Sequence, residues 1–402
     1  MGGEYRAAAS WSTRRLTIRL WRSMVICSLV FSRMALPLGA KQVPLSLLLA
    51  IGHLALIALA TRGTCSLPRA VATAVVVAVV LIETLAVHAR FSSLSVLYLL
   101  AIYVPIILSV GLDEDALRDV WRTFLALMAG VAALGVAQVA GQVVAGGWYI
   151  DPVTDLPETL QLAGYQPTYP ILRGVIHTLK PNGMIFVEAS VFSQFMALAL
   201  LGEAWLDRRA SRLVLFGVAL TLAFSGTGLL VLAGGLVLAG HVRLLFATGL
   251  AGVAVALAVG LLGYGEAFTS RIDEVRRPGT SGHERFVAPL EAMAKPWRES
   301  GEAVAWGYGA GRVEDLDVNG APNYSAVPKV FLEYGLAGLA AFAALWLSMF
   351  RGLVLPRQLT GALAVAYFVA GGALLQPFTV FSLWGLTGGF LKRSGVVMEE
   401  SR

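Results

Sequence analysis

The sequence predicts an all-α integral membrane protein with about twelve transmembrane helices and two long extracytoplasmic loops. Hydrophobic residues make up 57% of the 402 positions, and charged residues only 14%. The mean hydropathy of +0.73 lies far above the range of soluble chains. Apolar windows of roughly 18 to 25 residues recur between short charged segments, a pattern that favours helical spans over the alternating strands of an outer-membrane barrel.

The predicted spans follow one another along the chain, with edges defined to within several residues. They lie at about 21–38, 43–60, 70–88, 93–110, 120–145, 184–205, 211–224, 226–241, 243–263, 327–350, 359–375 and 377–391. The basic segment before the first span has no small-residue cleavage site after it, which indicates a retained signal anchor. The chain therefore divides into N-terminal membrane helices (1–145), a first periplasmic loop (146–183), central membrane helices (184–263), a large periplasmic loop (264–325) and C-terminal membrane helices (326–402).

The basic residues indicate how the spans are oriented. The formal net charge is +6, but the cations form no single stripe of the kind that binds nucleic acid, so we expect no nucleic-acid partner. Alternating the loops across the membrane places most loop cations on the side of the basic N-terminus, and the positive-inside rule then predicts a multi-pass inner-membrane protein with both termini in the cytoplasm. These cations are Arg62, Arg69, Arg118, Arg122, Arg208, Arg209, Arg212, Arg243, Arg351, Arg357, Lys392 and Arg393.

The large periplasmic loop contains the pattern of an amphipathic helix. Ser281 and Glu284 have the spacing of a capping box, and the apolar residues that follow lie at helical spacing along one face: Phe286, Leu290, Met293 and Trp297. Pro289 is expected to bend this helix, which would lie along the membrane surface or cover a cavity. Acidic residues outnumber basic ones in the loop, so an arginine that binds an anion there must do so by specific placement.

Glu188 is the charge that the apolar pattern least explains. It lies just inside the predicted span at 184–205, after a Lys-Pro-Asn-Gly turn that ends at Gly183. An ionisable group at that depth costs about 2 to 3 kcal/mol unless it faces a partner or a wet cavity, so we expect a functional or network role. Arg173 and Lys180 are its nearest cations in the sequence. Both are candidates for phosphate contact, and interfacial anchoring is the alternative.

Other motifs carry less chemistry. The segment WGYGAGR at 306–312 lacks the strand, the helix and the Gly-Lys-Ser/Thr ending of nucleotide-binding loops, so it predicts a tight glycine turn and no cofactor. No histidine, cysteine or carboxylate spacing indicates a metal site, and Cys27 and Cys65 form no disulfide framework. His177 and His283 both fall in the periplasmic loops, where each is either a general base or a solvated histidine.

Several blocks together resemble the O-antigen ligase and polymerase superfamily. They are NGMIFVEAS at 182–190, SGHER ending at Arg285, GYGAG at 307–311, and PNY through FLEYGLAG at 322–338, in the order that the family shows. The resemblance covers about 180 to 340. It implies a metal-independent inverting glycosyltransferase without cofactors, which acts on undecaprenyl-diphosphate-linked oligosaccharide outside the cytoplasmic membrane.

The resemblance also implies roles for individual residues. Glu188 and Arg285 would be catalytic, and the substrate would be bound by Arg173, Lys180, Arg271 and Asn323. Arginine would hold the diphosphate and stabilise it as the leaving group. Glu188 would orient these cations or act as the base. Two departures from the family pattern are Pro322, where ligases usually have His, and Ser225-Gly226-Thr227, where Ser-Arg is common.

The Glu-Ala-Ser form at Glu188 is similar to exopolysaccharide and capsule polymerases, so we favour a polysaccharide polymerase that works with membrane lipid and a possible chain-length regulator. A ligase that transfers finished glycan to lipid A core or protein is the first alternative. A flippase or transporter for lipid-linked sugar is the second, although the sequence shows no internal repeat of the kind many transporters have.

Overall fold

The described part of the protein is mostly helical, and three helices within it are long and apolar enough to cross a membrane: Leu67–Leu85, Glu114–Val144 and Ala326–Phe350. The computed structural model describes residues 2–39, 41–61, 63–87, 91–109, 113–145, 149–165, 168, 170–172, 176–241, 243, 278, 280–313, 316, 324–350, 353–370 and 373–388. Five further apolar helices are shorter, at Leu45–Thr61, Ser93–Ile107, Ala189–Trp205, Ala210–Leu222 and Gly226–Leu238. Residues 244–263 of the predicted span at 243–263 lie outside the described residues.

The N-terminal part of the chain contains five helices and two small antiparallel sheets. The helix at Leu67–Ile82 continues into a π-helical segment at Glu83–Val87. The helix at Ser93–Tyr103 continues into a 3₁₀ segment at Val104–Ile107. In chain order the elements are α1 (Gly2–Val30), β1 (Ala35–Leu38), β2 (Lys41–Pro44), α2 (Leu45–Thr61), β3 (Thr64–Cys65), α3 (Leu67–Ile82), α4 (Ser93–Tyr103), β4 (Leu108–Ser109) and α5 (Glu114–Val144). Strand β1 pairs with β2, and β3 pairs with β4.

The remaining elements include the two segments that were predicted to be periplasmic. The first contains a 3₁₀ turn at Glu158–Leu160 and a hairpin of β5 (Pro170–Leu172) with β6 (Ile176–Leu179). The helices that follow are α6 (Ala189–Trp205), α7 (Ala210–Leu222), α8 (Gly226–Leu238), α9 (Ser281–Phe286), α10 (Ala288–Met293), α11 (Lys295–Glu299), α12 (Gly301–Trp306), α13 (Ala326–Phe350), α14 (Arg357–Phe368) and α15 (Pro377–Thr387). A 3₁₀ turn at Ala373–Leu375 precedes α15.

The first predicted span extends too far in the C-terminal direction. Helix α1 ends at Val30, and residues 35–44, which include the end of the predicted span, form the β1–β2 hairpin. The apolar residues Leu36 and Leu38 extended the hydrophobic window, but they are exposed on the hairpin. Pro37 and Gly39, which has a φ of +60°, are the residues that favour a turn over a continuing helix here.

The amphipathic helix predicted in the large loop is divided into four short helices, α9 to α12. Pro289 and Pro296 lie in the first turns of α10 and α11, where a missing N–H costs nothing. The predicted cap position is wrong, because the helix begins at Ser281 and its N-cap is Thr280. Ala288 and Ala292 are buried in this segment, whereas Leu290 and Trp297 are more than 60% exposed.

Helix α6 lies at the centre of the packing that positions the site. Nearly all of its residues are buried, and it packs against α5, α7, α8 and α14. Phe186 and Phe195 stack with 5.0 Å between their ring centroids. The Phe192 ring approaches Gly135 and Gly183 so closely that a Cβ at either glycine would lie within 3.0 Å of it. The residues before α6 are therefore held against α5 by close packing.

Candidate functional site

Glu188 and Arg285 form an ion pair that joins the start of α6 to the large loop. Glu188 is the extended residue immediately before α6, and Arg285 lies on α9. Arg285 Nη2 donates to Glu188 Oε2, and the two side chains are 13% and 11% exposed, respectively. The charge at Glu188 thus faces a partner, as expected for an ionisable group in an apolar segment. The two residues that were predicted to be catalytic lie in direct contact.

Two further side chains lie beside this ion pair. The Ser190 hydroxyl donates to Glu188 Oε2 at 2.9 Å. Tyr165, from the first loop, is near enough to Glu188 and Arg285 for both charges to act on its phenol, and the Gln376 side chain just before α15 also acts on it. Burial, followed by the negative charge of Glu188, raises the pKa of Tyr165 to about 12. Tyr165 is therefore a neutral phenol at physiological pH, beside a carboxylate and a guanidinium.

The Ser225-Gly226-Thr227 segment packs directly against the start of α6. Thr227 Oγ1 donates to the Ser190 carbonyl at 3.0 Å and lies 3.1 Å from Ser193 Oγ, which accepts from the Gly228 N–H at 3.1 Å. A Cβ at Gly228 would lie 2.5 Å from the Ser193 carbonyl oxygen. The family that this sequence resembles often has a cation at this position. This chain instead has neutral hydroxyl groups, which fix the first turn of α6.

The remaining predicted site residues are placed as follows. Arg173, Arg271 and Asn323 lie outside the described residues. Lys180 is half-buried directly after β6, and its carbonyl accepts from the Tyr149 hydroxyl at 3.4 Å. His283 is 4% exposed, so the expectation of a solvated histidine at this position is wrong. Among the described residues, its Nδ1 atom has no hydrogen-bond partner.

The glycine turn predicted at 306–312 packs on the first part of α13. Gly307, Gly309 and Gly311 all have positive φ angles, which confirms the prediction of a tight turn. The Gly309 N–H donates to the Glu333 carbonyl at 3.0 Å, and the Tyr308 N–H donates to the Leu332 carbonyl at 2.8 Å. The Glu333 side chain is fully buried, and its Oε1 lies 3.3 Å from Lys329 Nζ.

The sequence predicted the central pair of this site but not its surroundings. Ser190 belongs to the quoted Glu-Ala-Ser motif, so a signal for it was present. Tyr165 carried no motif, because it approaches Glu188 only through the folding of the first loop. Within the described part of the chain, no group of three or more His, Cys, Asp or Glu side chains is arranged to hold a metal.

The N–H donors of Arg285 that Glu188 does not engage are of the kind that bind anions. A guanidinium has five N–H donors in a planar fork, and the contact with Glu188 engages those of Nη2. A phosphate group would meet the charge of Arg285 at a position fixed by Glu188. Comparison with protein-family models and with curated proteins returned no match to this chain. The functional interpretation therefore depends on this geometry and on the order of the sequence blocks that precede it.

Proposed function

We propose that this protein is a polysaccharide polymerase of the bacterial inner membrane. In this proposal the chain crosses the membrane about twelve times, both termini are cytoplasmic, and the site lies at the periplasmic face. The enzyme joins repeat units carried on undecaprenyl diphosphate and inverts the anomeric centre. The observation that carries the proposal is the ion pair between Glu188 and Arg285, which unites the two blocks that the sequence resemblance marks as catalytic.

The reaction is a single displacement at the anomeric carbon of the growing glycan. The acceptor sugar hydroxyl forms the new C–O bond, the bond between the anomeric carbon and the diphosphate oxygen breaks, and undecaprenyl diphosphate leaves with the electron pair. The hydroxyl proton passes to a base at the site. Arg285 stabilises the charge that develops on the leaving group, an effect that is strongest where water is excluded.

Glu188 acts in this proposal mainly by holding Arg285 in position. Its Oε2 atom accepts from both Arg285 and Ser190, so the oxygen that faces the loop is already engaged. Arg173, Lys180, Arg271 and Asn323 remain proposed substrate contacts. A chain-length regulator remains a proposed partner.

The test replaces Arg285 in a strain that lacks the chromosomal gene. With Arg285→Ala, polymer should fall at least about 100-fold, since one charge-stabilising donor typically supplies 10² to 10³ in rate. Single lipid-linked repeat units should accumulate. Arg298→Ala is the matched control, because Arg298 lies in the same loop and is exposed; it should make polymer of normal amount and length.

Glycan analysis of the deletion strain separates the candidate activities. Accumulation of single repeat units supports the polymerase, whereas long lipid-linked glycan that stays unattached indicates a ligase. Purified protein in liposomes that moves lipid-linked sugar across the bilayer without extending it would indicate a flippase. Normal polymer from Arg285→Ala, at normal protein level, would contradict the role assigned to Arg285.

A further inference from the structure

A buried polar network links three distant parts of the chain to the turn that precedes Glu188. Its side chains are Arg33 after α1, Gln138 on α5, Asp151 in the first loop and Asn182 in the turn, and none is more than 6% exposed. Arg33 Nη1 donates to Asp151 Oδ1 at 2.6 Å. Asn182 Nδ2 donates to Asp151 Oδ2 at 2.8 Å, and Gln138 Nε2 donates to Asn182 Oδ1 at 3.0 Å.

The same side chains also bind the backbone of the turn. Gln138 Oε1 accepts from the N–H groups of Asn182 and Gly183 at 3.1 and 3.0 Å. Asn182 Oδ1 accepts from the Met184 N–H at 2.8 Å, and Arg33 Nη1 donates to the Met184 carbonyl at 3.1 Å. The turn is therefore held from both sides by groups that are taken out of water, where polar bonds are strongest.

The turn has a backbone conformation that needs such support. Gly183 and Met184 have φ angles of +62° and +67°. A non-glycine residue in this region costs of order 1 kcal/mol or more, and it persists where the surrounding structure determines it. Met184 lies four residues before Glu188, so its conformation sets the direction in which the chain enters α6.

We propose that Arg33, Asp151, Asn182 and Gln138 are positioning residues for Glu188. They hold Gly183 and Met184 in the left-handed conformation that directs the Glu188 carboxylate toward Arg285. The network thereby couples α1, α5 and the first loop to the ion pair at the start of α6. The effect of this network on polymer synthesis rests on the proposed function, whereas its effect on the backbone of the turn does not.

A reciprocal exchange of Asp151 and Asn182 tests the network. In Asp151→Asn, the new NH₂ group faces either Asn182 Nδ2 or Arg33, so a donor meets a donor. In Asn182→Asp, two carboxylates come within hydrogen-bond distance. In the double variant, the amide introduced at position 151 accepts from Arg33 and donates to the carboxylate introduced at position 182. The other oxygen of that carboxylate accepts from Gln138 and from the Met184 N–H. Every bond of the network is then restored, with one reversed in direction.

The structural readout is hydrogen exchange of the amides of residues 182–184 in the purified protein. Each single variant should exchange about tenfold faster or more, since each loses a buried hydrogen bond to a charged group. The double variant should return to the wild-type rate. Asp113→Asn is the matched control. The side chains of Arg14 and Asp113, which form an exposed ion pair, are 38% and 55% exposed, respectively, and asparagine can still cap α5. Hydrogen exchange at residues 182–184 should therefore not change.

The activity readout is the amount of polymer per inserted protein. Each single variant should make at least about tenfold less polymer, in parallel with its faster hydrogen exchange. The double variant should recover both the amount of polymer and the wild-type exchange rate. Unchanged exchange in both single variants would overturn the network, as would a double variant that fails to recover. Normal polymer despite faster exchange would overturn the positioning role. If even the wild-type chain makes no polymer, the proposed function fails, while the exchange data still decide the structural inference.

Discussion

At the scale of single residues, the contact between Glu188 and Arg285 serves both stability and chemistry. Both side chains are mostly buried, so removal of one partner leaves a charge without compensation and costs about 3–5 kcal/mol. Loss of activity in a single variant would therefore have two explanations. A neutral pair of similar size separates them.

We expect the stability of Glu188 and Arg285 variants to depend on whether the two side chains still have a matching partner. The activity should depend on the charge of Arg285. Glu188→Gln and Arg285→Gln should each lower the thermal unfolding temperature in detergent. The double variant should regain a large part of that loss, because two amides can bond to each other and neither charge remains buried. It should still make no polymer. Recovery of polymer in the double variant would show that Arg285 acts through folding alone.

At the scale of elements, the sequence predicted a helix in the large loop but not its division into four. Pro289 indicated a bend, and the structure extends the same reasoning to Pro296, which lies in the first turn of α11. The packing of this segment was not predictable, because α10 and α12 pack on the kinked helix α13 and Trp297 of α11 stacks on Phe331 of the same helix. Exposure of Leu290 and Trp297 is consistent with a segment that lies against an apolar phase.

The kink in α13 arises at Gly335, which has a φ of +61° inside the helix. A Cβ at Gly335 would lie within 3.0 Å of the carbonyl group of Ala305, so the glycine allows α12 to pack directly on α13. Gly335→Ala should therefore lower the unfolding temperature and reduce the amount of folded protein. Gly130→Ala is the control, since a Cβ there meets nothing within 4 Å and alanine favours the helix. Equal unfolding temperatures for both variants would contradict the packing role of Gly335.

At the scale of the whole molecule, composition alone predicted a helical membrane protein, and three helices among the described residues have the length and apolar character of spans. The number of crossings was harder to predict. Helices α7 and α8 have 13 residues each, about 20 Å in length, which is less than the roughly 30 Å of a bilayer core. Hydropathy windows do not distinguish such short helices from full spans, because flanking loop residues such as Ala223 and Phe224 are also apolar and lengthen the hydrophobic window.

The orientation in the membrane can be tested with a native cysteine. Cys65 is exposed on β3, in a short loop whose arginines predict a cytoplasmic position. Glu302, exposed on α12, belongs to the loop that is proposed to be periplasmic. In a Cys27→Ser background, a membrane-impermeant maleimide should label Cys65 only after spheroplasts are permeabilised. Glu302→Cys, with Cys65→Ser, should react in intact spheroplasts.

The reverse result would place the site of Glu188 and Arg285 in the cytoplasm, where a periplasmic polymerase cannot act. Labelling of both positions from one side would show that the chain crosses the membrane an even number of times between them, and the predicted span order would be wrong.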